Sequence, residues 1–295
     1  MDLTELQIFK TVVEQGGISK AAAKLHRVPS NVTTRVKQLE ARLGTRLFMR
    51  NGRKLTLSAE GKLLLGYAER LLLLSTEAEI AIRNGKPRGT LRLGTLESTA
   101  ATRLPRVLSR YHLTYPDVDL EIVTGTTGAL INRVMAQDIE AAFVAEPFNK
   151  NDLETQPAFT EELVLITPKS FQKVRAPKDI GKRTVIAFAT GCSYRRRLEA
   201  WFSAAKVVPD RVMEMGSYHA IVACVSAGAG IAVVPRAILA ITTAEKEIAV
   251  HTLPNEVSRA KTHLIWRRGH QSAALTALRT QLVPNPSSVK NRLDA

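Results

Sequence analysis

Three short stretches of this chain have the residue types to hold a small anion. Glu97-Ser98-Thr99, Gly125-Thr126-Thr127-Gly128 and Gly191-Cys192-Ser193-Tyr194 each set hydroxyls where an expected strand runs into an expected helix. Hydroxyls and free backbone N–H groups at helix starts bind carboxylates and phosphates. Plain N-capping by Ser and Thr accounts for any one of these loops. Their repetition where open α/β sheets take their ligands adds the functional reading. Ser98, Thr126 and Ser193 are the expected anion holders, with Thr99, Cys192 and Tyr218 as further candidates. Arg195 and Arg196 either assist them or face solvent.

A second stretch suits a polyanion. Residues 27–54 carry eight Lys and Arg side chains, among them Lys37, Arg50 and Arg53, against the single acid Glu40. Lys and Arg release counterions from phosphates, so such clustering fits a nucleic acid, although a merely solvated basic face has the same composition. The whole chain has a formal charge of +15, of which residues 1–88 hold +8, from 16 Lys and Arg against 8 Asp and Glu. A third chemistry needs Cys192 as a nucleophile at a helix start with His219 as its base. A fourth makes Cys192 and Cys224 a thiol redox sensor. No local signature supports either, and two reduced thiols are the plainer reading.

The elements that must position these residues follow from spacing. Asp2-Leu3-Thr4-Glu5 reads as a capping-box start. Leu6, Phe9, Val12 and Val13 then give a first helix its core face, ended by Gly16-Gly17. Ser19 is the expected N-cap of a second helix. A third begins at Pro29-Ser30, packs through Val32, Val36, Leu39 and Leu43, and ends at Gly44. Its polar side carries Ser30, Asn31, Thr33, Thr34 and Lys37. Two short helices joined by a tight turn, the second basic outside, have the layout of a helix-turn-helix that reads a DNA major groove. Asn51-Gly52 between short apolar runs predicts a hairpin wing with Arg50, Arg53 and Lys54 at its tip.

A helix starting at Ser58-Ala59-Glu60 repeats Leu64, Tyr67, Leu71, Leu74, Ala78 and Ala81 at three- and four-residue steps. That is a coiled-coil seam, and dimerisation or burial within the chain would satisfy it. Asn84 to Gly89 reads as a hinge. Beyond it, apolar runs at 91–96, 118–123, 139–144, 162–167, 184–188, 212–215, 231–235 and 263–266 alternate with helical patterns. One of these helices runs from the Glu97 loop through Tyr111, and a last one covers residues 271–282. This alternation predicts a mainly parallel α/β domain in two lobes. With 295 residues the chain has room for two or three domains, and 45% hydrophobic composition supports a real core. No membrane-length apolar run and no signal-like start occur, so a cytoplasmic protein without a membrane partner is expected. No motif calls for a cofactor or metal.

More specific patterns run through residues 1–61: Phe9, Ser19-Lys20-Ala21-Ala22, Leu25-His26, Leu39 to Gly44, Leu47-Phe48-Met49-Arg50, Leu55-Thr56 and Glu60-Gly61. Ala227 to Pro235 adds a Gly-rich run ending in proline. On these the chain resembles the LysR-type transcriptional regulators over essentially its whole length. The resemblance implies a multidomain α plus α/β protein. A winged helix-turn-helix would span 1–58 and a dimerising linker helix with hinge 59–89. A two-lobed effector domain of the type II periplasmic-binding-protein kind would span 90–295, with lobe I about 90–160 and 266–295 and lobe II about 161–265. It implies promoter DNA, a small-molecule effector, a homodimer or homotetramer and RNA polymerase as partners. Thr33 matches the family's common recognition-helix serine, Arg50 and Arg53 its wing arginines, and Ser98-Thr99, Thr126 and Cys192-Ser193 its effector loops. Val28-Pro29-Ser30 stands where the family often has Ser-Gln-Pro. Glu97 to Ala100, Cys192 to Arg196 and Ser217-Tyr218-His219 are also similar to a narrower branch that includes a regulator of putrescine utilisation.

Overall fold

A computed structural model describes residues 1–51, 54–82, 87–171, 174–181, 183–242 and 247–282. The chain divides into two compact units, residues 1–85 and 86–295. In the first, α1 (Leu3–Gln15), α2 (Ile18–Lys24) and α3 (Pro29–Leu43) pack together. The hairpin β1 (Phe48–Asn51) and β2 (Lys54–Leu57) and the long α4 (Ala59–Ile82) follow. Asp2 and Glu5 form the reciprocal capping box at the start of α1, and Gly16 closes that helix. The N-cap of α2 is Gly17, not Ser19. The chain turns immediately at Gly16, so the helix restarts at Ile18, whose side chain joins the core of Ile8, Val12 and Val32. Of the α3 stripe, Val32, Val36 and Leu39 are buried, while Leu43 is 40% exposed.

Ser58 binds the start of α4: its hydroxyl accepts from Gly61 N at 2.8 Å and donates to Arg46 O at 2.8 Å. A side chain at Gly61 would collide with the backbone carbonyl of Leu47, so the helix crosses the hairpin only with glycine there. The expected α4 seam splits into two faces. Leu64, Leu65, Ala68 and Leu72 pack on the unit's own Leu6, Phe9, Leu39 and Leu47. Leu63, Tyr67, Leu71 and Leu74 lie on the surface. The spacing of six small and large apolar residues cannot say which stripe meets its own chain; the position of α1 decides it.

The second unit is built on a seven-stranded sheet. Its strands are β3 (Gly89–Thr95), β4 (Val118–Thr124), β5 (Ala141–Ala145), β6 (Leu153–Pro168), β9 (Ala232–Pro235), β10 (Ile248–Thr252) and β11 (Arg259–Arg267). The path runs β10-β6-β11-β5-β3-β4, with β9 also on β6. A separate parallel pair joins β7 (Thr184–Ala187) to β8 (Arg211–Glu214). The large sheet is mixed rather than mainly parallel: β3 pairs β4 and β5 in parallel, while every pairing of β6 and β11 is antiparallel. The 16 residues of β6 include Leu153–Glu161, where no apolar run in the sequence predicts a strand and whose burial does not alternate.

Helices α5 (Glu97–Thr102), α6 (Leu104–Thr114), α7 (Thr127–Met135) and a short 3-10 turn cover one series of connections. The later helices are α8 (Ser193–Ala204), α9 (Tyr218–Ser226), α10 (Arg236–Leu239), α11 (Asn255–Ser258) and α12 (Ala273–Leu282). The expected single helix from Glu97 to Tyr111 is broken at Arg103, where Pro105 enters the first turn of α6. One core joins β3, β5 and β11 to α6 and α12 through Leu91, Phe143, Trp266 and Leu278. The other gathers β6, β7 and β9 with α8 and α9 through Leu165, Ile186, Leu198 and Val225.

Candidate functional site

The first candidate is the outer face of α3. Ser30, Asn31, Thr34, Lys37 and Gln38 are exposed opposite the buried stripe, and Thr33 is half-buried. Thr33 Oγ1 donates back to Pro29 O at 2.9 Å, so its proton is engaged while a lone pair remains to accept. Arg27 donates to Asn31 Oδ1 at 3.4 Å, which leaves the amide NH2 free to face a base edge or phosphate. Not every basic residue of 27–54 is available. Arg42 grips the buried Glu5 with both terminal nitrogens, at 2.8 and 3.2 Å. Glu40 accepts from the backbone N–H groups of Leu47 and Phe48, tying the end of α3 to the hairpin. The β1–β2 register pairs Asn51 with Lys54. Gly52 and Arg53 lie outside the described residues, as do residues 83–86 of the expected hinge and the side chains of Arg50 and Lys54.

The second candidate lies wholly in the second unit, at the C-terminal ends of the parallel strands. Glu97-Ser98 follow β3, Gly125-Thr126 follow β4, Phe188 follows β7, and Met215 to Tyr218 follow β8. These loops enclose an inner cavity of about 20 Å³ that touches Ser98, Cys192, Ser193, Tyr194 and Tyr218. Glu97, Gly125, Thr126 and Phe188 also border an outer space of about 330 Å³, whose far wall is Glu214, Met215 and Gly216. Of the expected residues, Ser98, Thr126, Cys192, Ser193 and Tyr218 therefore meet at one place. Thr99 is fully buried and borders neither space.

Polar groups around the cavity divide into those already satisfied and those not. Thr126 caps α7, accepting from Ala129 N at 3.4 Å. Gly128 N donates to Gly191 O at 3.3 Å. Ser193 Oγ donates to Ala145 O at 2.6 Å and stands 3.0 Å from Thr127 Oγ1, fastening α8 to β5 and α7. By contrast Glu97 Oε2, Ser98 Oγ and Tyr194 OH are buried with no hydrogen-bond partner among the described residues. Glu97 Oε1 accepts from Tyr218 N at 3.3 Å. Burial pushes the Glu97 carboxyl above its ordinary value, against the opposing pull of that N–H and of His219. Burial likewise raises the Tyr194 and Tyr218 phenols.

Sequence reasoning placed Glu97 and Tyr194 in the right loops without giving them a role, and it missed Phe188 and Glu214. Glu97 could have been found as the only acid in the three loops. The others depend on which strands lie side by side. The thiol readings lose support in the same place. Cys192 is buried, and that burial raises its thiol, which disfavours the reactive thiolate. His219 is exposed, and Cys192 and Cys224 are both free thiols. Among the described residues no helix is long and apolar enough to cross a membrane, and no cluster of His, Cys, Asp and Glu has metal-binding form.

Comparison with known proteins bears on both units. Residues 3–62 match the bacterial regulatory helix-turn-helix protein model of the lysR family, and residues 84–285 match the LysR substrate binding domain. The chain is 40% identical over 281 residues to the uncharacterized HTH-type transcriptional regulator YusT of Bacillus subtilis, covering 95% of this chain and 94% of that protein. It is 39% identical over 269 residues to HTH-type transcriptional regulator GltR of the same organism, covering 91% of each. In fold it resembles full-length CbnR in complex with its target DNA, with a TM-score of 0.68 and 24% identity over 96% of this chain and 99% of that one. A full-length variant of OxyR from Pseudomonas aeruginosa gives a TM-score of 0.69 and 21% identity, covering 97% of this chain and 96% of that one.

Proposed function

This chain belongs to the LysR family of DNA-binding transcriptional regulators, and we propose from that premise how its two units divide the work. Residues 1–58 hold the DNA-reading module, 59–89 the linker helix and hinge, and 90–295 the effector domain. Ser30, Asn31, Thr33, Thr34 and Lys37 face the major groove, and Arg50 and Arg53 serve the phosphate backbone or minor groove. The exposed Leu63, Tyr67, Leu71 and Leu74 of α4 meet a second copy of the chain, giving a two-fold reader for paired half-sites. A small molecule held beside Ser98, Thr126, Cys192, Ser193 and Tyr218 shifts the arrangement of subunits because it binds one arrangement better than another. RNA polymerase then responds to the altered assembly on the promoter.

The observation that carries this reading is the exposed, hydrogen-bond-competent face of α3 opposite the buried Val32, Val36 and Leu39. Its test is retention of genomic DNA fragments from the source organism by the purified full-length protein at near-physiological salt, followed by sequencing. A few sharp peaks sharing a pseudo-palindrome are expected. Uniform retention by a folded oligomer, unchanged when a pool of small metabolites is added, would reduce the protein to a nonspecific DNA binder.

A further inference from the structure

The loops around the inner cavity were expected to hold an anion, but the Glu97 carboxylate among them and their engaged helix-start N–H groups favour the opposite sign. Gly128 N at the start of α7 donates to Gly191 O, and Thr126 accepts from Ala129 N. At the start of α9 the anion position is taken by Glu97 itself, which receives Tyr218 N. Ser193 has given its proton to Ala145 O. Arg195, whose guanidinium reaches Glu214 on the wall of the outer space, is held by Glu199 and Glu214 together. A carboxylate arriving here would face the Glu97 carboxylate, and the Arg195 guanidinium is already engaged.

What stands ready is one carboxylate oxygen with two hydroxyls beside it, which can accept as well as donate. Glu97 Oε2, Ser98 Oγ and Tyr194 OH are all shielded from solvent and unpartnered among the described residues, and all three residues border the cavity of about 20 Å³. Ser98 lies toward the hydroxyls of both Tyr194 and Tyr218. A cavity of that size takes one group as large as a water molecule. An ammonium head is that size and brings three donors, one for the Glu97 carboxylate and the others for lone pairs of the Ser98 and Tyr194 hydroxyls. Phe188 and Tyr218, with ring centroids 4.6 Å apart, form an aromatic wall next to it, and aromatic faces attract cations.

We infer that the ligand of this cleft carries an ammonium group, which enters the inner cavity and pairs with Glu97, while the remainder of a small molecule occupies the outer space. Glu97 is then the residue that selects ligand charge. This deepens the effector reading above and rests on it. Leaving a buried carboxylate oxygen without a partner costs free energy, and a proton or a bound cation removes that cost.

The test uses the full-length protein and three probes matched in size: n-butylammonium chloride, sodium butyrate and 1-butanol. Thermal unfolding is followed at constant ionic strength with each probe at about 50 mM, the range a fragment of so few atoms requires. Butylammonium alone is expected to raise the Tm, by about 2 °C or more. Glu97→Gln should abolish that rise. Ser98→Val, which leaves Glu97 in place, should reduce it, so the outcome does not depend on one variant folding. A rise with butyrate instead, an equal rise with all three probes, an undiminished response in folded Glu97→Gln, or no response of the natural protein to the amine would each overturn the inference. The same preparation is assayed for sharp genomic peaks. Peaks without an amine response sink the ligand assignment and leave the DNA reading standing; an amine response without peaks does the reverse.

Discussion

In residues 1–85 the atoms aimed at a partner lie in the open; in residues 86–295 they lie under cover. Thr34, Lys37 and Gln38 are exposed, whereas Ser98, Ser193 and Tyr218 are each below 4% exposed. The partners proposed for the two units explain the difference. A phosphate backbone is large and hydrated, and it is met by mobile cations whose contribution is screened by salt. A small molecule offers few contacts, so each must be preset in a dry site where it counts for more. The supporting residues differ in the same sense. In the first unit Glu5, Arg42 and Glu40 hold helices from behind and leave the reading face alone. In the second, Ser193 and Thr126 are support and cavity wall at once.

The contrast predicts where damage stays local. Arg42→Ala should have the largest effect. It leaves the buried Glu5 carboxylate with only the Asp2 N–H and the N-terminal ammonium, and should cost about 2–3 kcal/mol, the lower part of the range for breaking a buried pair, also because Arg42 is itself half-exposed. Denaturant unfolding should show the loss in the DNA-reading unit, with the amine response of the cleft intact; a lost amine response would break the division into units. Ser193→Ala comes next, at about 1–2 kcal/mol, since it leaves Ala145 O short of its closest donor. Operator affinity per folded molecule should not change, which quantitative footprinting checks.

Lys37→Ala should cost about 1 kcal/mol of DNA binding on all sequences alike and lower the salt slope by about one. Loss confined to one base position would instead make Lys37 a base reader. The smallest effect belongs to Glu97→Gln in the absence of ligand. Burial raises the Glu97 carboxyl, so the folded state holds its proton more tightly than the unfolded state does. That stabilisation is complete below the ordinary value of 4.5 and is lost as pH rises through the raised one. The Tm of the natural protein should therefore fall relative to Glu97→Gln as pH climbs from about 4.5 toward neutrality. Parallel Tm curves would mean that the carboxyl is solvated and unperturbed.

The two units were also unequally legible in the sequence. Helix caps and the buried stripe of α3 depend on neighbours three or four residues away, so Asp2, Glu5, Val32, Val36 and Gly44 could be read directly. Ser19 misled because a cap depends on where the turn has already been made, and Gly16 makes it first. In the effector domain the three loops were legible as places but not as chemistry. Whether a serine is a tie or a ligand donor depends on what crosses over it. Ser193 meets Ala145, 48 residues away, while Ser98 meets no such acceptor. The sign proposed for the ligand's charge rests on the same distinction: helix starts speak for anions only while their donors are unspent.

The order in which this chain emerges during synthesis gives β11 a further significance. Strand β5 ends at Ala145 and is buried along its whole length, yet the strand that covers its free edge does not begin until Arg259, and α12, which closes the core beneath, comes later still. At ordinary translation speeds that interval lasts about 10 s. Residues 1–85 form a compact unit of their own. A nascent copy can therefore own a finished DNA-reading unit while its sensor is an open sheet with an unpaired, apolar edge. A chain that stops early, before Thr262, would leave that edge permanently bare. Such fragments would reach the cell as readers without sensors, and their exposed strands would mark them for aggregation or proteolysis.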